Sequence, residues 1–418
     1  MNILYINHYA GSPSYGMSFR TYYLSREWVR LGHKVRIVAA EFSHVRAFQP
    51  QRPIHKPRTW FESIDGIDYQ WFATPNYAGN GIPRVRNIAT FLARVFWETK
   101  KIDNDFKPDV VIASSTYPMD IWVARRLAKL SNAKLVFEVH DLWPLSPIEI
   151  GGMSPLHPFI RLCQAAENAA YRDADLVVSM LPNVASHVAY KGLPLERLVI
   201  VPNGISLDDW QDATPVTVRE DIRLAITSAK AAGHLVVAYT GSHGLPNALD
   251  TLLDAAALLR EEKLTFILVG DGHERTRLQA RCRAEGLSNV QMFAPVPKMQ
   301  IPTLLSMVNI GYIGWRREPL YRFGIAPNKL MDYMMANLPI LHSVEAGNDP
   351  VADASCGLTV SPESPESVAR GLMQLAALGS NKLRQVGAHG RPYVTKHHSY
   401  RNLARIFINA IIAARSRN

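Results

Sequence analysis

The stretch Phe323–Val344, FGIAPNKLMDYMMANLPILHSV, decides the fold. It reads as loop, helix, turn and buried strand. Pro327 suits a first helical turn, where its fixed φ is already helical and its missing N–H is no loss. Leu330, Tyr333 and Met334 recur at helical spacing, Asn337-Leu338-Pro339 closes the element, and Pro339–Val344 follows as a short apolar strand. Lys329 sits in the first turn, where free N–H groups and the helix dipole favour an anion over a cation. Asp332 lies one turn on, on the same face. A helix start that carries a cation is suited to phosphate, and a carboxylate one turn deeper can accept hydrogen bonds from a ribose diol. A surface Lys–Asp pair worth a few tenths of a kcal/mol is the other reading, and from this stretch alone both stay open.

The pattern extends in both directions. Asn2–Tyr9 reads as a strand, Ala10–Gly16 as a Gly/Ser/Pro loop, Met17–Leu31 as a helix ending at Gly32, and Lys34–Ala39 as a second strand. This is a βαβ unit with a parallel sheet. Gly16 stands at the loop-to-helix junction, where such folds bring amides to a phosphate, although a plain turn glycine reads as well. GxGxxG is absent, which argues against a nicotinamide dinucleotide. Residues 42–83 read as an insertion with a short hairpin around Asp65–Phe72, and a basic, amphipathic helix follows from Arg84 to about Ile102. Core packing explains its apolar stripe better than a membrane interface does.

Further units follow: strands at Asp109–Ser114, Lys134–Val139, Leu176–Ser179 and Leu198–Val201, with helices at Met119–Lys129 and Pro155–Arg172. His140-Asp141 lies just past the end of the strand Lys134–Val139, where open sheets bind ligands; a structural histidine is the alternative. Asp173-Ala174-Asp175 resembles a metal-binding DxD but reads as a helix end running into a strand. The pattern changes near Gly204 and restarts at Leu235–Thr240, followed by Gly241-Ser242-His243-Gly244, the strand Thr265–Val269 with Gly270-Asp271-Gly272, then strands at Val290–Phe293 and Ile310–Ile313. The residues alone therefore describe a two-domain α/β enzyme for a phosphorylated ligand. Its site is expected at the cleft between the domains, with Gly16 and His140 on one wall and Ser242, Lys329 and Asp332 on the other.

Composition narrows the class. At 418 residues, 47% hydrophobic and 20% charged, the chain suits two or three ordinary globular domains. Cys163, Cys282 and Cys356 lie far apart and read as free thiols in a reducing compartment. Met1 leads straight into the apolar NILYIN, so no signal peptide is expected. There is no apolar run of membrane-spanning length. Of the net charge of +10, residues 1–60 carry +7: nine Lys/Arg against Glu27 and Glu41. Such a surface suits anionic lipid or a diphosphate-bearing substrate. No nucleic-acid-binding motif is present, so no nucleic-acid partner is expected.

RLGHKV, EVHDLWP, VPNGI, YTGSHG, LVGDG and GIAPNKLMDYMMANLPI occur in this order over nearly the whole chain. In that order and spacing the sequence resembles the GT-B glycosyltransferases of glycosyltransferase family 4, and is similar to bacterial N-acetyl-L-fucosamine transferases of surface polysaccharide synthesis. The resemblance implies two Rossmann-like doubly wound domains facing a cleft. These are an acceptor-side domain over 1–204, a nucleotide-sugar domain over 205–399, and a terminal helix over 400–418 that can pack back on the first domain. It implies retaining transfer from a nucleotide sugar, with UDP the expected base, without a metal ion or cofactor. The acceptor would be a polyprenyl diphosphate-linked saccharide, and the protein would be cytoplasmic, peripheral at the anionic inner face of the cell membrane. A sugar-nucleotide 2-epimerase of the same fold and a non-catalytic basic binding module are the alternatives. The resemblance does not fix an oligomeric state.

Carried over by residue, the resemblance gives Lys329, with the amides around Asn328 and Leu330, to the diphosphate and Asp332 to the ribose. Gly16, Gly241 and Ser242 would meet the phosphates, Gly270 and Gly272 would shape the nucleotide pocket, and His140 would lie beside the transferred sugar. Two positions depart from the family pattern. Gly324 stands where many relatives have a Glu, leaving sugar contacts to the amides of Gly324, Ile325 and Ala326. Neither Ser242 nor His243 is the phosphate-binding arginine of many relatives, so Lys329 would carry that charge alone. Glu149 is the only carboxylate expected near His140.

Overall fold

The computed structural model describes residues 1–16, 19–79, 81–211 and 216–416. The expected helix start at Met17 lies outside the described residues; the helix is observed from Arg20 to Arg30. The chain divides into two compact units, Met1–Asn203 with Tyr400–Asn418, and Gly204–Ser399.

The first unit is built on eight strands: β1 (Asn2–Ile6), β2 (Lys34–Ala40), β3 (Thr59–Ile64), β4 (Ile67–Phe72), β5 (Val110–Ala113), β6 (Lys134–Val139), β7 (Leu176–Ser179) and β8 (Leu198–Ile200), in the order β3-β4-β2-β1-β5-β6-β7-β8. All pairs are parallel except β3 with β4. Near-continuous apolar runs such as VVIA in β5 and LVVS in β7 suit strands covered on both faces. The region expected to be an insertion instead extends the sheet. Asp65-Gly66 makes the two-residue turn of the β3–β4 hairpin, with both φ values positive (51° and 77°), the geometry that Asp-Gly favours. β4 then pairs in parallel with β2, so the hairpin belongs to the sheet.

The helix Tyr400–Arg415 belongs to this first unit. Its buried face, Leu403, Ala404, Phe407, Ile408, Ile411 and Ala414, follows the helical period and covers the helix Arg20–Arg30. Trp28 Nε1 donates to the Ala404 carbonyl at 3.1 Å, its ring meets Phe407 edge-on, and Tyr23 stacks on Tyr400 at 5.0 Å.

The second unit carries six parallel strands: β9 (Leu235–Thr240), β10 (Leu264–Val269), β11 (Val290–Phe293), β12 (Ile310–Gly314), β13 (Ile340–Ser343) and β14 (Gly357–Val360), ordered β11-β10-β9-β12-β13-β14. Alternate residues feed two cores: Val236 and Ala238 on one face, Val237 and Tyr239 on the other. The direction of winding changes between β9 and β12, which puts the expected ligand crevice outside the carboxyl ends of those two strands. β14 and three helices, Pro365–Ala377, Gly379–Ala388 and Gly390–His398, fill a region where sequence pattern gave no assignment. Among the described residues no helix is long and apolar enough to cross a membrane.

Phe407→Ala should empty a fully buried site, at a cost of about 3–5 kcal/mol. Hydrogen exchange should accelerate in Arg20–Arg30, with Leu249–Leu258 in the other unit unchanged. Equal acceleration in both would show that the terminal helix does not stabilise the first unit locally.

Candidate active site

In the second unit the stretch FGIAPNKLMDYMMANLPI arrives at the switch point. The helix Asn328–Met335 buries Leu330, Met331, Tyr333, Met334 and Met335 in one of the two cores. Tyr333 lies flat on the sheet because Gly311 has no side chain: a Cβ there would come within 2.6 Å of the ring. Its hydroxyl accepts from the Thr240 amide at 2.8 Å, which ties the helix to the end of β9. Pro327 is the N-cap, one position earlier than expected, and no side chain caps the helix. Asn337 closes it with a left-handed φ of 55°.

Lys329 and Asp332 do not form a surface ion pair; both are partly buried and each has its own partners. Lys329 Nζ donates to Tyr239 Oη at 2.8 Å and to Asn247 Oδ1 at 2.6 Å, and lies 4.3 Å from the centre of the Tyr239 ring. Burial pushes its ammonium down to about 7. Burial also raises Asp332 to about 6; Lys298 and the Trp210 side chain oppose that shift, and Asp209 adds to it. Burial therefore penalises the charged form of both groups, a pattern that clusters at functional sites.

The Gly241 turn packs against this lysine, and the Gly270–Gly272 turn packs against the Gly241 turn. A Cβ on Gly241 would press to 3.3 Å from Lys329 Cε. One on Gly270 would stand 1.8 Å from the Gly241 carbonyl, and one on Gly272 would stand 2.5 Å from that of His243. The two turns approach backbone to backbone, which only glycine permits. Ser242 contributes its carbonyl, which accepts from Tyr239 Oη at 2.6 Å and Asn247 Nδ2 at 3.0 Å. His243 is fully buried with neither ring nitrogen bonded; burial, then Arg275, with a smaller push from Lys329, lowers it to about 4, against the pull of Asp271. Arg275, which follows the Gly270–Gly272 turn, thus places a positive charge near His243.

One expectation needs correcting. The amide of Gly324 donates to the Tyr321 carbonyl at 2.9 Å, and that of Ile325 to Asn348 Oδ1 at 2.7 Å; Asn348 Nδ2 returns a bond to the Ile325 carbonyl. A tight loop satisfies its own donors, so neither amide is open to a sugar hydroxyl as expected.

In the first unit His140 follows β6. Its Nε2 lies 3.0 Å from Glu138 Oε2 and 2.7 Å from Ser114 Oγ. Glu149 was the expected carboxylate; Glu138 is the one in contact. Residues two apart along a strand direction share a face, which is the signal that could have found it. Glu138 has no exposed surface. Burial alone would raise it, but Arg20, then His140 and Ser114, hold the carboxyl well below its usual range. Gly16 bonds through its amide to the Ser12 carbonyl, and with φ 78° and a Cβ position 2.9 Å from that of Ala47, close packing already demands a glycine. Tyr239, Asn247, Asn348, Glu138 and Ser114 all escaped the sequence reading, because each acquires its role only through a residue distant in the chain.

Residues 15–204 match the family described as "Glycosyl transferase 4-like domain", and residues 234–377 match "Glycosyl transferases group 1". The chain is 24% identical over 400 residues to the "Putative colanic acid biosynthesis glycosyl transferase WcaI" of Escherichia coli (strain K12), covering 92% of this chain and 93% of that one. Among solved structures, sucrose-phosphate synthase from Thermosynechococcus elongatus superposes with a TM-score of 0.75 at 17% identity, covering 100% of both chains. Anabaena HepE in complex with UDP superposes with a TM-score of 0.68 at 16% identity, covering 99% of this chain and 100% of that one.

The two charge shifts carry opposite pH signatures. Lys329 in the folded state has a lowered pKa, so holding its proton costs stability fully below about pH 7; the cost fades as pH rises toward the unfolded value. Asp332 is raised, so its cost is absent at low pH and complete above about 6. Lys329→Met and Asp332→Asn should each raise the urea midpoint at pH 6.5. The gain from Lys329→Met should shrink by pH 9.5, and that from Asp332→Asn should shrink sharply by pH 4. Destabilisation by both at pH 6.5 would contradict this.

Proposed function

We propose that this chain, which belongs to the GT-B glycosyltransferases through its 4-like and group 1 domains, moves a sugar from a UDP-linked donor to a lipid-linked saccharide in surface polysaccharide synthesis. The carrying observation is Lys329: a partly buried cation in the first turn of an uncapped helix, packed against the Gly241 turn at the switch point of the second sheet. That arrangement suits a diphosphate leaving group, whose developing charge the helix N-terminus and the ammonium stabilise without a metal ion. Arg275 adds a second positive charge nearby. Asp332 takes the ribose hydroxyls, and His140 meets a sugar hydroxyl. Transfer proceeds with retention at the anomeric carbon, as in similar enzymes of family 4. The polysaccharide assignment draws on WcaI and the choice of UDP on HepE.

The acceptor side meets the anionic inner face of the membrane. Arg94 is lowered by burial and then by Arg52 and Arg58, so these three cations lie close together. Ile54, two residues from Arg52, is 94% exposed and Trp97, one helical turn from Arg94, is 81% exposed; exposed apolar residues among cations suit acidic lipid. Arg52→Glu with Arg58→Glu should abolish sedimentation with vesicles containing phosphatidylglycerol at low salt; unchanged sedimentation removes the membrane assignment.

Incubation with a panel of nucleotide sugars and polyprenyl diphosphate-linked saccharides, read by mass spectrometry, tests the reaction. A glycosylated lipid that appears only with both substrates is expected; turnover of donor alone would indicate an epimerase. Lys329→Ala should lower kcat by roughly 10²–10³, and Asp332→Ala should mainly raise the donor KM. Since burial raises Asp332 to about 6 and lowers Lys329 to about 7, kcat/KM for the donor should be bell-shaped with limbs close to those values. Asp332→Asn should remove the acid limb.

A further inference from the structure

The buried carboxylate of Glu138 has no part in the reaction described above, yet four donors converge on it. Arg20 reaches Oε1 with Nε at 3.0 Å and with a terminal nitrogen at 2.9 Å. Tyr5 Oη and Ser114 Oγ reach Oε2, the latter at 2.6 Å, and His140 Nε2 lies 3.0 Å from the same oxygen. Arg20 also donates to the carbonyls of Val201 and Pro202 at 2.7 and 2.5 Å, so its guanidinium is fixed from two sides.

We propose that Glu138 is a positioning residue that locks His140 in its Nε2–H tautomer, so that the ring offers Nδ1 as a hydrogen-bond acceptor to a sugar hydroxyl. The donor inventory dictates this. An ionised carboxylate only accepts, so Ser114 gives its one proton to Glu138 and can only accept from His140. Both neighbours of Nε2 are therefore acceptors, and the proton must sit on Nε2. Nδ1 has no hydrogen-bond partner among the described residues. The ring lines a pocket with Thr116, Asp141 and Trp143 at the ends of β5 and β6. A histidine so held accepts a proton or a hydroxyl hydrogen bond at a fixed point, as a carboxylate-buttressed imidazole does elsewhere. The identity of the hydroxyl rests on the glycosyl-transfer reading; the tautomer does not.

Glu138→Gln is the informative change. Arg20 can only donate, so it should retain the amide oxygen and turn the NH₂ toward Ser114 and His140. A donor then faces Nε2, and the ring proton should move to Nδ1. Long-range ¹H–¹⁵N spectra of histidine-labelled protein at pH 8, with the His140 signal identified by its loss in His140→Gln, should show Nε2–H in the wild type and Nδ1–H in Glu138→Gln. In the same variant kcat should fall roughly 10–100-fold, as for loss of an outer partner of a functional histidine, with the donor KM unchanged. Tyr5→Phe, which removes a donor from the same carboxylate without touching His140, should keep both the tautomer and kcat. Ser114→Ala keeps the Arg20–Glu138 pair and should keep Nε2–H, which serves as the test if Glu138→Gln does not fold. Nδ1–H in the wild type or in Ser114→Ala, or Nε2–H retained in a folded Glu138→Gln, would overturn the proposal. The spectra need no substrate, so a failed transfer assay leaves this result standing by itself.

Discussion

A fully buried ionised carboxylate needs several donors at once, because in a low-dielectric interior its desolvation is offset only by pairing and hydrogen bonding. Glu138 imposes that requirement on the first unit. It draws Arg20 from the start of the first helix, Tyr5 from β1, Ser114 from the end of β5 and His140 from the end of β6. Four separate segments are thereby brought into register at the carboxyl edge of the sheet. Arg20 extends the constraint to Val201 and Pro202, just before the chain passes into the second unit at Gly204. The position of His140 is thus a consequence of how one carboxylate is satisfied.

The second unit solves the converse problem, a cation where the helix dipole disfavours one. Lys329 is accommodated by a phenol, an amide oxygen and the space left by Gly241. None of these neutralises it, and burial lowers its pKa. A structural role would have been served better by a neutral side chain. The same holds for Asp332, whose carboxyl burial raises to about 6. Stability given up at two neighbouring positions on one helix face is characteristic of a site kept for binding.

Much of this was legible in the chain. The parallel α/β class followed from alternating apolar strands and amphipathic helices, and the helix over Asn328–Met335 from spacing alone. The Asp-Gly turn of the β3–β4 hairpin was visible, although not that its second strand would join the main sheet, since pairing β4 to β2 depends on long-range register. Gly241 was singled out for the phosphates and Gly270 and Gly272 as pocket builders. Their stronger reason, backbone contact between two turns, is a distance that no spacing encodes. The Gly324 and Ile325 amides were misassigned because Asn348, about twenty residues on, engages one of them.

Sequence by itself determined the strands and helices and which polar residues stand at their ends, because hydrophobic period and turn residues are local properties. It singled out Lys329 and His140 by their placement at element boundaries, and Asp332 by its place one turn on from Lys329. Only the tertiary structure decided their charge and orientation. Burial moves Lys329 and Asp332 toward each other in pKa, and Glu138 turns the His140 ring, and both effects come from neighbours far away in the chain. Desolvation and hydrogen-bond satisfaction depend on everything within a few ångströms, and that is settled only when the sheets close.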